Sequence, residues 1–133
     1  MTRRVALLAV VLALAVSRCE SPSGPASHAL SLQLSNAGTA DRAMLLQITG
    51  SDSTARIDTV VASGGSRYRV FAQRQSALRW RVIVTGNVSD GVLVTIQVPD
   101  KSLGTAYTGT ILDVADASYA DVQPGSRALT ITP

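Results

Sequence analysis

Beyond residue 29, apolar and polar side chains alternate with a period of two. Leu30, Leu32 and Leu34 alternate with Ser31, Gln33 and Ser35, while Met44, Leu46 and Ile48 alternate with Leu45, Gln47 and Thr49. Successive side chains of a strand point to opposite faces, so each run predicts a β-strand with one buried face. The same reading predicts a strand over 55–62 with Ile57 and Val61 inward, and one over 67–73 with Tyr68, Val70 and Ala72 inward. It predicts another over 78–85 with Leu78, Trp80, Val82 and Val84 inward, and one over 92–98 with Val92, Val94, Ile96 and Val98 inward. Strands over 107–114 and 127–132 add Tyr107, Ile111, Leu129 and Ile131 to the core. The intervening segments, such as Asn36-Ala37-Gly38, Gly50-Ser51-Asp52, Gly64-Gly65, Pro99-Asp100 and Pro124-Gly125, hold residues that accept positive φ or lack a ladder donor. Short strands at this spacing predict an all-β fold, a two-sheet antiparallel β-sandwich of about eight strands over 29–133. No internal repeat points to a propeller or solenoid.

The start of the chain follows a different pattern. Arg3 and Arg4 precede twelve uninterrupted apolar residues, 5–16, and then Ser17, Arg18 and Cys19. At 1.5 Å per residue the apolar run is too short for the ~30 Å core of a bilayer, and being apolar on every side it offers no solvent face to a globular helix. A secretory signal over 1–18 is therefore expected. The segment Val16-Ser17-Arg18-Cys19 resembles the lipobox of bacterial lipoproteins, with Arg18 standing where that motif takes a small residue. The resemblance implies a diacylglycerol on the Cys19 sulfur, cleavage before it and a membrane anchor. Simple cleavage after a small residue such as Ala15, or an unmodified thiol, are the other readings. Residues 20–27, ESPSGPAS, have the composition of a tether, so 19–28 are expected to link the anchor to the folded domain.

Composition narrows the choice of function. A chain of 133 residues with 46% hydrophobic, 4% aromatic and 16% charged residues is one small domain. The net charge of +3 resides entirely in the signal: without Arg3, Arg4 and Arg18, nine basic residues face nine acidic ones. A neutral exported domain gives no reason to expect a nucleic-acid partner. A single cysteine permits no intramolecular disulfide, so the core alone must hold the domain.

The stretch Asp90-Gly91-Val92-Leu93-Val94-Thr95-Ile96-Gln97-Val98 is similar to the glycine-led strand of cohesin-type β-sandwich modules of extracellular bacterial scaffolds. An aspartate-bearing segment over 113–121 and a closing strand over 128–131 follow in the same order. The resemblance implies a cohesin-like or immunoglobulin-like sandwich. Where cohesin-type modules carry a Tyr-Asp pair after the second long strand, this chain has Thr49-Gly50-Ser51-Asp52, so a dockerin partner is not implied. Fold kinship does not carry function with it.

Few chemistries find their residues here. His28 is the only histidine and sits at the end of the tether, too poorly anchored for imidazole catalysis. Cys19 and His28 together cannot make a zinc site, which takes three or four such ligands. Asp113, Asp116 and Asp121 are hard oxygen ligands and weak candidates for calcium, in a spacing that fits no calcium loop. Glu20 is the only glutamate, and the Gly64-Gly65 pair opens no helix that would cradle a phosphate. No cofactor and no enzymatic activity are expected.

The placement of arginine is the most distinctive feature. Arg67 and Arg69 share the outward face of one predicted strand with Phe71; Arg79 and Arg81 share the outward face of the next. If the two strands form a hairpin, these side chains lie on one surface, either as a docking face for an acidic partner (a protein patch, an anionic polysaccharide or lipid headgroups), or as solvated guards against edge pairing. Trp80 is expected in the core. The sequence thus predicts an exported, lipid-anchored cell-envelope module that presents a sheet face to a partner, with a calcium-stabilised carbohydrate-binding module as the alternative.

Overall fold

The computed structural model describes residues 28–133. The signal, Cys19 and residues 19–27 of the tether lie outside the described residues. Among the described residues nine strands form two antiparallel sheets: β1 (His28–Ser35), β2 (Asp41–Gly50), β3 (Thr59–Ala62), β4 (Arg69–Ser76), β5 (Arg79–Thr85), β6 (Gly91–Val98), β7 (Tyr107–Asp116), β8 (Asp121–Val122) and β9 (Ala128–Thr132). The four-stranded sheet runs β3-β6-β1-β9 and the five-stranded sheet runs β4-β5-β2-β7-β8. Apart from the β4–β5 and β7–β8 hairpins, every connection carries the chain from one sheet to the other. The only helical segment among the described residues is a 3-10 stretch, Lys101–Ala106, leading into β7.

The expected sandwich is the observed one, because alternation gives each sheet one apolar face to hide. Leu30, Leu32, Leu34, Val94, Ile96 and Val98 come from the smaller sheet, and Met44, Leu46, Ile48, Val82, Val84 and Val114 from the larger, into one buried cluster. Trp80 joins them, although its indole N–H has no hydrogen-bond partner among the described residues. Gly109, on the inward side of β7, leaves room for the other sheet: a Cβ there would lie 2.8 Å from Leu32 Cδ1 and 3.2 Å from Leu129.

Two expected orientations are corrected, each at consecutive apolar residues. Residues 55–58 are not strand: Ala55 and Ile57 are buried from an irregular segment, so β3 starts afresh with Val60 inward and Val61 exposed. In β6 the pairing shifts between Leu32 and Gln33, which turns Leu93 inward and leaves Val92 at the surface. In β7 Ile111 packs against the core opposite Leu46 as expected, and the shift opposite Leu45 and Leu46 leaves Leu112 exposed. His28, expected in the tether, already pairs with Val98 as the first residue of β1. The eight expected strands become nine through the two-residue β8 at the edge. Leu78, expected within a strand, lies in the β4–β5 turn.

Two polar contacts close the ends of the sandwich. Asp41, 1% exposed at the head of β2, accepts Arg127 Nε and Nη2 at 2.7 Å each and the Gly38 N–H at 2.8 Å. Arg127 lies just ahead of β9 in the other sheet and also donates Nη1 to the carbonyls of Gln123 and Pro124. At the opposite end of β2, Tyr107 donates its hydroxyl to the Arg56 carbonyl at 2.6 Å, holding the irregular 55–58 segment. The Arg127 hydrogen bonds hold the Asp41 carboxyl below the ordinary 3.8 against the opposing effect of burial. Burial pushes the Tyr107 phenol above 10.0, helped by the charges of Asp58, Asp100 and Asp52.

A lowered carboxyl pKa in the folded state means that stabilisation is complete above about pH 4 and is lost as pH falls through the lowered folded value. Asp41→Asn is accordingly expected to flatten the acid limb of a stability-versus-pH curve measured by urea unfolding, and Asp41→Ala to cost about 3 kcal/mol at neutral pH by stranding the guanidinium. Gly109→Val is expected to cost about 1–3 kcal/mol through overpacking against Leu32 and Leu129, read as a lowered urea midpoint.

Candidate functional site

The outer face of the five-stranded sheet is organised in rows set by strand register. In the β4–β5 hairpin Arg69 pairs with Thr85, Phe71 with Ile83, and Gln73 with Arg81. β5 continues the rows into β2, where Thr85 meets Ala43, Ile83 meets Leu45, Arg81 meets Gln47 and Arg79 meets Thr49. β7 extends them with Ala115, Asp113, Thr110 and Thr108 opposite Ala43, Leu45, Gln47 and Thr49, and β8 adds Asp121 opposite Ala115. These positions share one face because their neighbours, among them Met44, Leu46, Ile48, Val82 and Val84, are fully buried on the other.

One of these rows is apolar in water. Phe71 is 60% exposed, Ile83 43% and Leu112 41%, and the half-buried Leu45 lies between Ile83 and the Leu112-Asp113 pair. Leu45, Phe71, Gln73, Arg81 and Ile83 border a shallow depression of about 350 Å³. Arg69 stands at one flank of Phe71, and Arg81 and Arg79 lie on successive rows at the other flank. Among the described residues none of these three guanidinium groups has an ion-pair or hydrogen-bond partner. The arrangement can take an apolar surface over its centre and carboxylates over its β4–β5 side.

The structure brings together Arg69, Phe71, Arg79 and Arg81, but not Arg67. That residue precedes β4, whose first residue is Arg69, and lines a separate crevice of about 580 Å³ against the outer face of the other sheet. Ser31, Ser63, Ser66, Tyr68, Ser89, Val92 and Thr95 share that crevice. The Tyr68 hydroxyl accepts the Ser89 N–H at 3.2 Å there, tying two loops together. Nor do the calcium candidates converge. Asp116 accepts the N–H groups of Ser118 and Ala120 as the organiser of the β7–β8 turn, whereas Asp113 and Asp121 lie on the outer face. Among the described residues no three potential metal ligands of the His, Cys, Asp or Glu type form a cluster.

Sequence reasoning missed Leu45 and Leu112 as members of this face, and Arg74 as an edge residue. Arg74 pairs with Trp80 on the inner side of β4, yet it is exposed because β4 is an edge strand. An inward-directed charge at an open edge discourages pairing with another strand. No known family, curated protein or solved structure matches the chain.

The outer-face residues contribute no core packing, so Phe71→Ser together with Arg79→Ser is expected to leave the urea midpoint unchanged within about 0.5 kcal/mol. Val82→Ala, one position away on the inner face, is expected to cost about 2 kcal/mol in the same measurement.

Proposed function

We propose that the protein is an exported cell-envelope module, held at a membrane by a lipid on Cys19, that works by docking a protein partner on the outer face of its five-stranded sheet. The observation that carries this reading is the exposed row Phe71, Ile83, Leu45 and Leu112 flanked by Arg69, Arg79 and Arg81, none of them paired within the described residues. A solvated sheet face needs no phenyl ring at its surface, and arginines at a docking rim steer an acidic partner and fix its orientation. A protein suits the row better than an anionic polysaccharide, because the centre of the face is aliphatic and offers a sugar no polar pairing. The lipobox-like residues before Cys19 and the Pro- and Ser-containing segment after it supply the anchor and the reach. The reading is one of contact and not catalysis. The separated positions of Asp113, Asp116 and Asp121 give the calcium-stabilised carbohydrate reading no support.

Cross-linking in the native envelope followed by mass spectrometry tests both halves of this reading. The expected result is a diacylglyceryl-modified Cys19 peptide, with protein cross-links that map to β4, β5, β2 and β7 and disappear in Arg69→Ser/Arg79→Ser/Arg81→Ser while the melting temperature is retained. Cross-links that survive this substitution unchanged, or that map to the opposite sheet, overturn the docking face; a free Cys19 thiol overturns the anchor.

A further inference from the structure

The same face carries charges of opposite sign on its two wings. β2 is the central strand of five, with β5 and β4 on one side and β7 and β8 on the other. The β4–β5 wing presents Arg69, Arg79 and Arg81 outward, and the β7–β8 wing presents Asp113 and Asp121. The row Arg69–Thr85–Ala43–Ala115–Asp121 crosses the whole sheet with a cation at one end, an anion at the other and small side chains between. Strands lie about 4.8 Å apart, so its two ends are separated by roughly 19 Å and cannot neutralise one another within one chain. Asp113 and Asp121 have no ion-pair or hydrogen-bond partner among the described residues either.

Opposite charges at equal distances from the central strand, with Leu45 on that strand inside an apolar row that crosses it, suit a self-complementary interface. Resting on the docking reading above, we infer that the partner of this face is a second copy of the chain, stacked face to face about a two-fold axis parallel to β2. Such an axis keeps each residue in its row and exchanges the wings. It sets Arg69 of each copy over Asp121 of the other, Ile83 over the Leu112-Asp113 pair, and Leu45 over its own counterpart. Edge-to-edge association through β4 is disfavoured by Arg74 and by the register shift between Arg74 and Ser76. Five strands about 4.8 Å apart and four rows about 7 Å apart cover roughly 500 Å² per copy, at the lower limit for a specific interface. The dimer is thus weak and concentration-dependent, and a membrane anchor would favour it by confining the copies to a surface.

Sedimentation equilibrium of the purified protein and two variants tests the arrangement. Wild type is expected to dimerise with rising concentration. Arg69→Asp and Asp121→Arg are each expected to weaken self-association at least about tenfold, since the two-fold axis makes every reversal act twice. An equimolar mixture of the two variants is expected to regain wild-type affinity within about threefold, because both contacts are then complementary. The altered positions are exposed, and unchanged melting temperatures verify folding. A wild type that stays monomeric at millimolar concentration, or a mixture that associates no better than its components, overturns the inference. If the protein is monomeric but cross-links from this face lead to a different envelope protein, the second copy is rejected and the docking reading stands; cross-links absent from the face reject both.

Discussion

A two-layer sandwich can hide only one face of each sheet, and this constraint governs the rest of the molecule. The inward positions must be apolar, because no disulfide is available to a domain with a single cysteine outside it. Those positions are filled by leucine, isoleucine and valine from both sheets, with Trp80 and Tyr107 towards the ends of the strands. The outward positions are under no such demand, so their composition reports on something other than folding. The outer side of β1 and β6 is mostly serine, glutamine and threonine, with Val92 at the surface at the start of β6, and this is close to what water alone would select. Phe71, Ile83 and Leu112 on the larger sheet are not.

The core holds the two sheets together without fixing how they end, and here the Asp41–Arg127 pair acts. It joins the head of β2 to the segment preceding β9, eighty-six residues later in the chain. Arg127 also binds the carbonyls of Gln123 and Pro124, and so gathers the chain between β8 and β9 around itself. A buried ion pair costs desolvation, which is recovered here through bidentate geometry and through the additional N–H of Gly38. The pair ties the segment by which the chain leaves the five-stranded sheet to the head of β2.

Wherever apolar and polar residues alternate strictly, the strands and their inward faces are legible in the chain, as in β1, β2 and β5. Legibility fails at Val60-Val61 and Val92-Leu93-Val94, where adjacent apolar residues leave the phase undefined; an irregular segment before β3 decides the first and a change of register the second. Asp41 is hidden for a related reason. A pairing shift between Asp41 and Ala43 breaks the alternation, and its partner is distant in sequence. Of the candidate face, Arg69, Phe71, Arg79 and Arg81 are legible because strand parity alone determines their direction. Arg67 has the same parity but precedes β4, so parity does not apply to it. Leu45 and the Asp113–Asp121 wing join the face through β2, β7 and β8, whose order no local pattern encodes.

That order is also what gives the charges their meaning. Three arginines on a hairpin, considered alone, are a common solvated surface, and two aspartates near the end of a chain are equally ordinary. Placed on opposite sides of β2, with cations on one wing and anions on the other that are unpaired among the described residues, they form a dipolar face crossed by one apolar row. Scattered gatekeeping charges would not separate by sign, and a site built only for an acidic ligand would have no use for Asp113 beside Leu45 on the same row. A partner that presents the inverse pattern suits such a face, and in the row from Arg69 to Asp121 this face turned through a half-rotation about β2 presents it.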